Sequence, residues 1–288
     1  MASLWMLLAA FLFAAMGACV KLASASFSTS EIVMYRGLVG TLVLLAMLRY
    51  QGGTLRTAFP REHLWRSFVG VVSLWLWFFA IGKLPLATAV TLNYMAPIWM
   101  AAYLFVKGLV HAKHRVAWPL LAAIGASFIG VTLVLRPAVE AQQWVGGVVG
   151  LVSSVLSAMA YMQVRRLGLM GEPEHRVVFY FSLMSCVAGA AGTVATGGEW
   201  HAVSWHNAAL LLGIGVTAMV AQIAMTRAYR VGKVLVVANL QYTGIIFSSL
   251  WGMVLWSDSF DWHVWLGMGV ILASGMAASF YNTREASN

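Results

Sequence analysis

The sequence predicts an all-α integral membrane protein: ten transmembrane helices arranged as two inverted five-helix repeats. Three observations predict it. Of 288 residues, 61% are apolar and only 9% charged, with a mean hydropathy of +0.82, which is more apolar surface than one soluble core of that size can bury. Apolar runs of about 18–22 residues recur along the whole chain, each long enough to cross a bilayer as a helix. And one segment occurs twice, at positions that place its two copies in opposite orientations.

The expected spans are 2–23, 31–48, 64–82, 86–106, 116–135, 143–164, 175–196, 207–227, 233–255 and 263–283. Period-2 alternation is absent, which argues against a barrel. Connections are short, leaving no room for a soluble domain in a loop. Assigning them alternately to the two sides puts fourteen basic residues (Arg49, Arg56, Arg61, Arg66, Lys107, Lys113, Arg115, Arg165, Arg166, Arg176, Arg227, Arg230, Lys233 and Arg284) on the side of the N-terminus. Only Lys21, Lys83 and Arg136 lie opposite, and Arg36 falls within the second span. By the positive-inside rule both termini are cytoplasmic, in a plasma membrane. The net charge of +9 is therefore topological and gives no ground for a nucleic-acid partner.

In the first span, "MGAC" at 16–19 resembles a lipoprotein cleavage box, but no Lys or Arg precedes it, so the charged part of a signal peptide is missing. Met16 lies on this span and Lys21 near its end. In the second span, Arg36 is expected to pair with Glu31, to cap carbonyls, or, with Lys21, to attract a substrate carboxylate at the outer gate. The third carries "SLWLWFFAI", in which Trp77 and Phe78 lie too deep for an interfacial belt; with Trp99 they can line an apolar pocket or simply pack.

The fourth span contains "TLNYMAPI" (91–98), and the ninth "NLQYTGII" (239–246), 148 positions later. The flanks match too, 87–105 over 235–253. This makes 1–137 and 138–288 the two repeats. Five spans per repeat is an odd number, so equivalent spans run in opposite directions about an axis in the membrane plane. Asn93, Tyr94, Gln241 and Tyr242 are costly facing lipid and should face the bundle interior, either bonding between helices or lining a substrate site. Tyr161 and Gln222 are further in-span polar candidates. Small residues every fourth position, Ala122, Ala126 and Gly130 in span five and Gly146, Gly150, Ser154 and Ala158 in span six, read as close packing faces. Span ten repeats the pattern with Ser274 and Ala278. A homodimer through helices 5 and 10 would use such faces, and packing within one chain explains them equally.

Ten spans, inverted five-plus-five repeats, Arg36 in span two and the Tyr94 segment followed by Pro97 together resemble the drug/metabolite transporter superfamily, EamA branch. Within it the chain is most similar to bacterial exporters of amino acids, including aromatic ones. The resemblance implies a central cavity between helices 1–4 and 6–9, with helices 5 and 10 peripheral, and no cofactor. An inverted repeat implies alternating access.

No Asp or Glu lies near the middle of a span, so facilitated export of neutral or aromatic amino acids is expected, with coupling through His201, His206 or His263 as the alternative. A proton-coupled drug exporter remains a further reading. So does a nucleotide-sugar carrier, which would need cationic residues in helices that read as almost uncharged. A membrane enzyme is disfavoured: there is no "HExxH" and no paired carboxylate within a span.

Overall fold

The computed structural model describes residues 2–111, 122, 125–126, 129–130, 132–134, 143–198 and 200–285. All regular structure among them is helical. In chain order the helices are α1 (Ala2–Ala23), α2 (Thr29–Gln51), α3 (Pro60–Lys83), α4 (Leu86–Asn93), α5 (Ala96–His111), α6 (Trp144–Leu169), α7 (Glu174–Ala195), α8 (Trp205–Val231), α9 (Val234–Leu240), α10 (Thr243–Trp256) and α11 (Trp262–Glu285). By length and composition six can cross a membrane, within α1, α2, α3, α6, α7 and α8. Most of the expected span 116–135, and the boundary expected at 137/138, lie outside the described residues.

Local signals explain the helix ends. Ser28 and Glu31 form a reciprocal capping box at the start of α2, and Gly52 closes that helix in the left-handed region at φ 66°. Pro60 opens α3, where a missing N–H costs nothing. The Ser204 hydroxyl accepts from the Asn207 N–H to start α8.

The spans expected to be continuous over 86–106 and 233–255 are each broken in two. The first break falls after Asn93. Pro97 has no N–H to give the Asn93 carbonyl, so the chain tightens through three-residue bonds, Met95 N to Leu92 O (3.1 Å) and Ile98 N to Met95 O (2.9 Å), before α5 proceeds. The second falls at Gln241 without a proline, through the same kind of bond: Gln241 N to Ala238 O (3.2 Å) and Gly244 N to Gln241 O (2.9 Å). The two repeated motifs are therefore two helix breaks. They touch: α4 packs against α10, and a methyl on Gly244 would stand 2.6 Å from the Tyr94 ring and hydroxyl.

The helices interleave along the chain. α1 packs chiefly on α8, α2 on α7 and α3 on α6. Between α2 and α7 the backbones meet directly, because a side chain at Gly37 would collide with the backbone of Ser182 and Cys186, and one at Gly189 with that of Ser30 and Met34. Gly130 of span five meets Gly267 of span ten within the chain: a methyl on Gly130 would lie 2.8 Å from the Gly267 carbonyl oxygen, and one on Gly267 2.7 Å from that of Gly130.

Candidate functional site

One face of α3 builds most of the site. Arg66, Gly70, Ser73, Leu74 and Trp77 recur at helical spacing and line an interior cavity, closed by Phe13 of α1, the α4 break (Asn93, Tyr94), Ser157, Ala160 and Tyr161 of α6, Phe181 of α7 and Gln222 of α8. The cavity holds about 470 Å³ of non-atom space counted to its mouth, of which the centre of a water molecule can occupy about 40 Å³. It is narrow in this conformation.

A hydrogen-bond knot ties its α4 side to α6. Asn93 Nδ2 donates to Ser153 Oγ (3.0 Å) and Ser157 Oγ (3.1 Å). Ser73 Oγ reaches Ser157 Oγ at 2.7 Å and donates to the Ser153 carbonyl at 2.8 Å. Tyr161 stands between Ser157 and Gln241 and stacks on Tyr229 with ring centroids 5.8 Å apart.

Arg66 corrects the expectation that the cavity helices are almost uncharged. Sequence reading placed it with the topological basic residues, since it lies three positions into the expected span, but α3 begins at Pro60 and carries it inward until only 2% of it is exposed. Its Nη2 reaches Gln222 Oε1 at 3.4 Å, and its guanidinium carbon lies 4.1 Å from the centre of the Phe181 ring. Arg36, equally buried, approaches the same ring at 4.9 Å. The signal available in the sequence was the spacing of Arg66 with Ser73 and Trp77 on one helical stripe.

The other expected site residues divide. Asn93, Tyr94, Trp77, Tyr161 and Gln222 line the cavity. Phe78 sits behind Trp77, 5.9 Å ring to ring, and Met16 is wholly buried in the core. Gln241 and Tyr242 are buried at the second break without lining the cavity. Trp99 lines a separate lateral groove with Trp65, Tyr103 and Met159, and its Nε1 donates to Ser154 Oγ at 2.8 Å. Among the described residues no three His, Cys, Asp or Glu side chains converge as metal ligands would, so the cavity's polar equipment is amide, hydroxyl and guanidinium.

The expected Arg36–Glu31 pair does not form. Glu31 is spent on its capping box and on His201, whose backbone N–H and Nδ1 both lie 2.9 Å from its carboxylate. Lys21 lies 3.9 Å from Asp258 and 4.8 Å from the Trp256 ring centre. At the opposite end of the bundle, His63 Nε2 and Glu172 Oε1 are 3.1 Å apart, with Arg176 3.7 Å from the same oxygen. His263 pairs with Asp261 at 2.8 Å; the side chain of His206 lies outside the described set.

A bundle of apolar helices around an interior polar cavity, lined by one broken helix against which a second is packed, has the form of a multi-pass membrane transporter of small molecules. The chain belongs to the EamA-like transporter family. Residues 1–136 match that family directly. Over 278 residues, 94% of this chain and 93% of the relative, it is 31% identical to the pseudopaline exporter of Pseudomonas aeruginosa. It is 29% identical over 285 residues to an uncharacterized transporter of Helicobacter pylori, covering 94% of this chain and 91% of that one. It is 23% identical over 296 residues to the riboflavin transporter of Vibrio cholerae, covering 98% and 94%. A solved crystal structure, 15% identical, superposes with a TM-score of 0.70 over 98% of each chain, which shows a shared fold. The chain is thus a transporter of a bacterial membrane and not an enzyme.

Proposed function

We propose that this transporter exports small amphipathic metabolites, amino acids and their derivatives, by alternating access through the cavity beside Tyr94, with both termini cytoplasmic. The observation that carries the reading is the meeting of the two broken helices. Repeated motifs that break their helices at equivalent places, and touch there, are what an inverted repeat places at its axis.

The contacts support it. If the first and second halves are exchanged, the α2–α7 contacts map onto themselves, α1–α8 maps onto α3–α6, and α4–α10 maps onto α5–α9. Substrate would sit between Trp77 and Tyr94, with amide and hydroxyl groups for its polar end and aromatic walls for its apolar body. The relatives named for pseudopaline and riboflavin also move small metabolites. Transport down a gradient is the simplest mechanism, because no carboxylate among the described residues lines the cavity.

Proteoliposome uptake of labelled Trp, Phe, Met and Thr, with and without a pH gradient, tests this. Saturable uptake indifferent to the gradient is expected; no uptake of any member removes the amino-acid assignment. One observation favours a second reading, proton coupling: His63 and Glu172 form a buried titratable pair. Under that reading uptake follows the gradient, and His63→Gln abolishes the dependence.

A further inference from the structure

We propose that Arg36 and Arg66 form one site for the anionic groups of the substrate, so that the molecules carried are amphipathic acids with net negative charge. The proposal rests on the transporter reading above and names its substrate class.

Buried charges persist when they are paired, and these two are not. Both side chains are 2% exposed. Nε of Arg36, and Nε and Nη1 of Arg66, have no hydrogen-bond partner. The one hydrogen bond to either guanidinium among the described residues, Arg66 Nη2 to Gln222 at 3.4 Å, is long and leads to a neutral amide. Both guanidiniums lie over the Phe181 ring, at 4.9 and 4.1 Å from its centre, and their unpartnered N–H donors suit an oxyanion.

The surrounding helices offer no internal counter-charge among their described residues. Glu31 is taken by Ser28 and His201. Glu62 is taken by Arg166 and Gln163, and Glu172 by His63 and Arg176. Glu174 pairs with Arg230. Each nearby acid is committed at an end of the bundle, and the two interior cations remain.

Charge balance then selects the ligand. A zwitterion brings one carboxylate but also an ammonium group that must sit in the same positive field. An acid with two carboxylates meets Arg66 directly and balances the field of Arg36 behind Phe181 as well, and Phe13, Trp77 and Tyr94 along the cavity receive its apolar part. Arg66 lines the cavity itself; Arg36 stands behind it across the shared ring.

The test is binding to the purified chain in nanodiscs, read by thermal shift, of four ligands sharing one benzyl group: phenylalaninamide, a cation; phenylalanine, a zwitterion; N-acetylphenylalanine, a monoanion; and N-succinylphenylalanine, a dianion. The expected order of affinity follows negative charge, with the dianion about tenfold or more tighter than the zwitterion. Arg66→Gln flattens the order and Arg66→Lys partly restores it. A flat or reversed order in the unsubstituted chain overturns the proposal, as does binding of none of the four, so the result stands even if Arg66→Gln fails to fold. Tighter binding of inorganic phosphate than of the dianion overturns the assignment to organic acids. Binding needs no translocation: charge-ordered binding without transport removes the transporter mechanism and spares the site, while transport without charge order does the reverse.

Discussion

The two helix breaks have the same sequence logic, a carboxamide followed by tyrosine, and opposite hydrogen-bond fates. At the first, Asn93 is held by Ser153 and Ser157, and Tyr94 opens onto the cavity. At the second, Gln241 Oε1 and the Tyr242 hydroxyl have no partner, and the Gln241 amide reaches only Tyr161 and, at 4.0 Å, the Met225 sulfur. The reason lies across the interface. α6 presents Ser153 and Ser157 to the first break, whereas α8 presents Met225 to the second. The two motifs share their residues while their surroundings differ. One copy has become a fastener, and the other carries polar atoms that are unsatisfied in this conformation, at a place where a rearranged state can satisfy them.

Five substitutions separate the breaks. The largest effect is expected from Gly244→Val, which drives a side chain into the Tyr94 ring; overpacking costs about 1–3 kcal/mol, and uptake falls as the breaks are forced apart. Wild-type uptake from this variant would show that the contact is dispensable. Next, Asn93→Ala removes two interhelical bonds, at about 1–2 kcal/mol in a membrane setting, and lowers the melting temperature in detergent, whereas Gln241→Ala leaves it nearly unchanged. Equal shifts would erase the distinction between fastener and free end. Third, Tyr94→Phe keeps the ring, whose removal would leave a hole at a site 2% exposed, and is expected to reduce transport at unchanged yield; full activity would confine Tyr94 to packing. The smallest effect belongs to Tyr242→Phe. Its hydroxyl has no partner to lose, so stability stays within about 0.5 kcal/mol, and a clear loss would mean that the hydroxyl is bonded in the solution state.

Much of this could be read in advance from hydropathy, which marks the helices, and from the repeated motif, which marks the meeting point. The breaks themselves were hidden, because hydropathy does not register backbone course. Pro97 was a usable signal for the first, and nothing but Gly244 marks the second. Arg66 was misplaced because a charge near a span end looks topological until the helix start is known. Arg36 was given to Glu31 by proximity in sequence, while the partner Glu31 uses lies 170 positions away at His201. Such long-range choices leave no local trace.

The interleaving of helices also constrains how the protein is made. α1, α2 and α3 leave the ribosome first, yet their principal neighbours α8, α7 and α6 are synthesised only in the second half of the chain. The early helices must therefore wait in the bilayer with Arg36, Arg66 and the glycine face of α2 uncovered. Assembly is then a late event triggered by the arrival of α8, and a chain truncated before it would leave its most costly residues exposed to lipid, the kind of defect by which membrane quality control recognises an orphaned fragment.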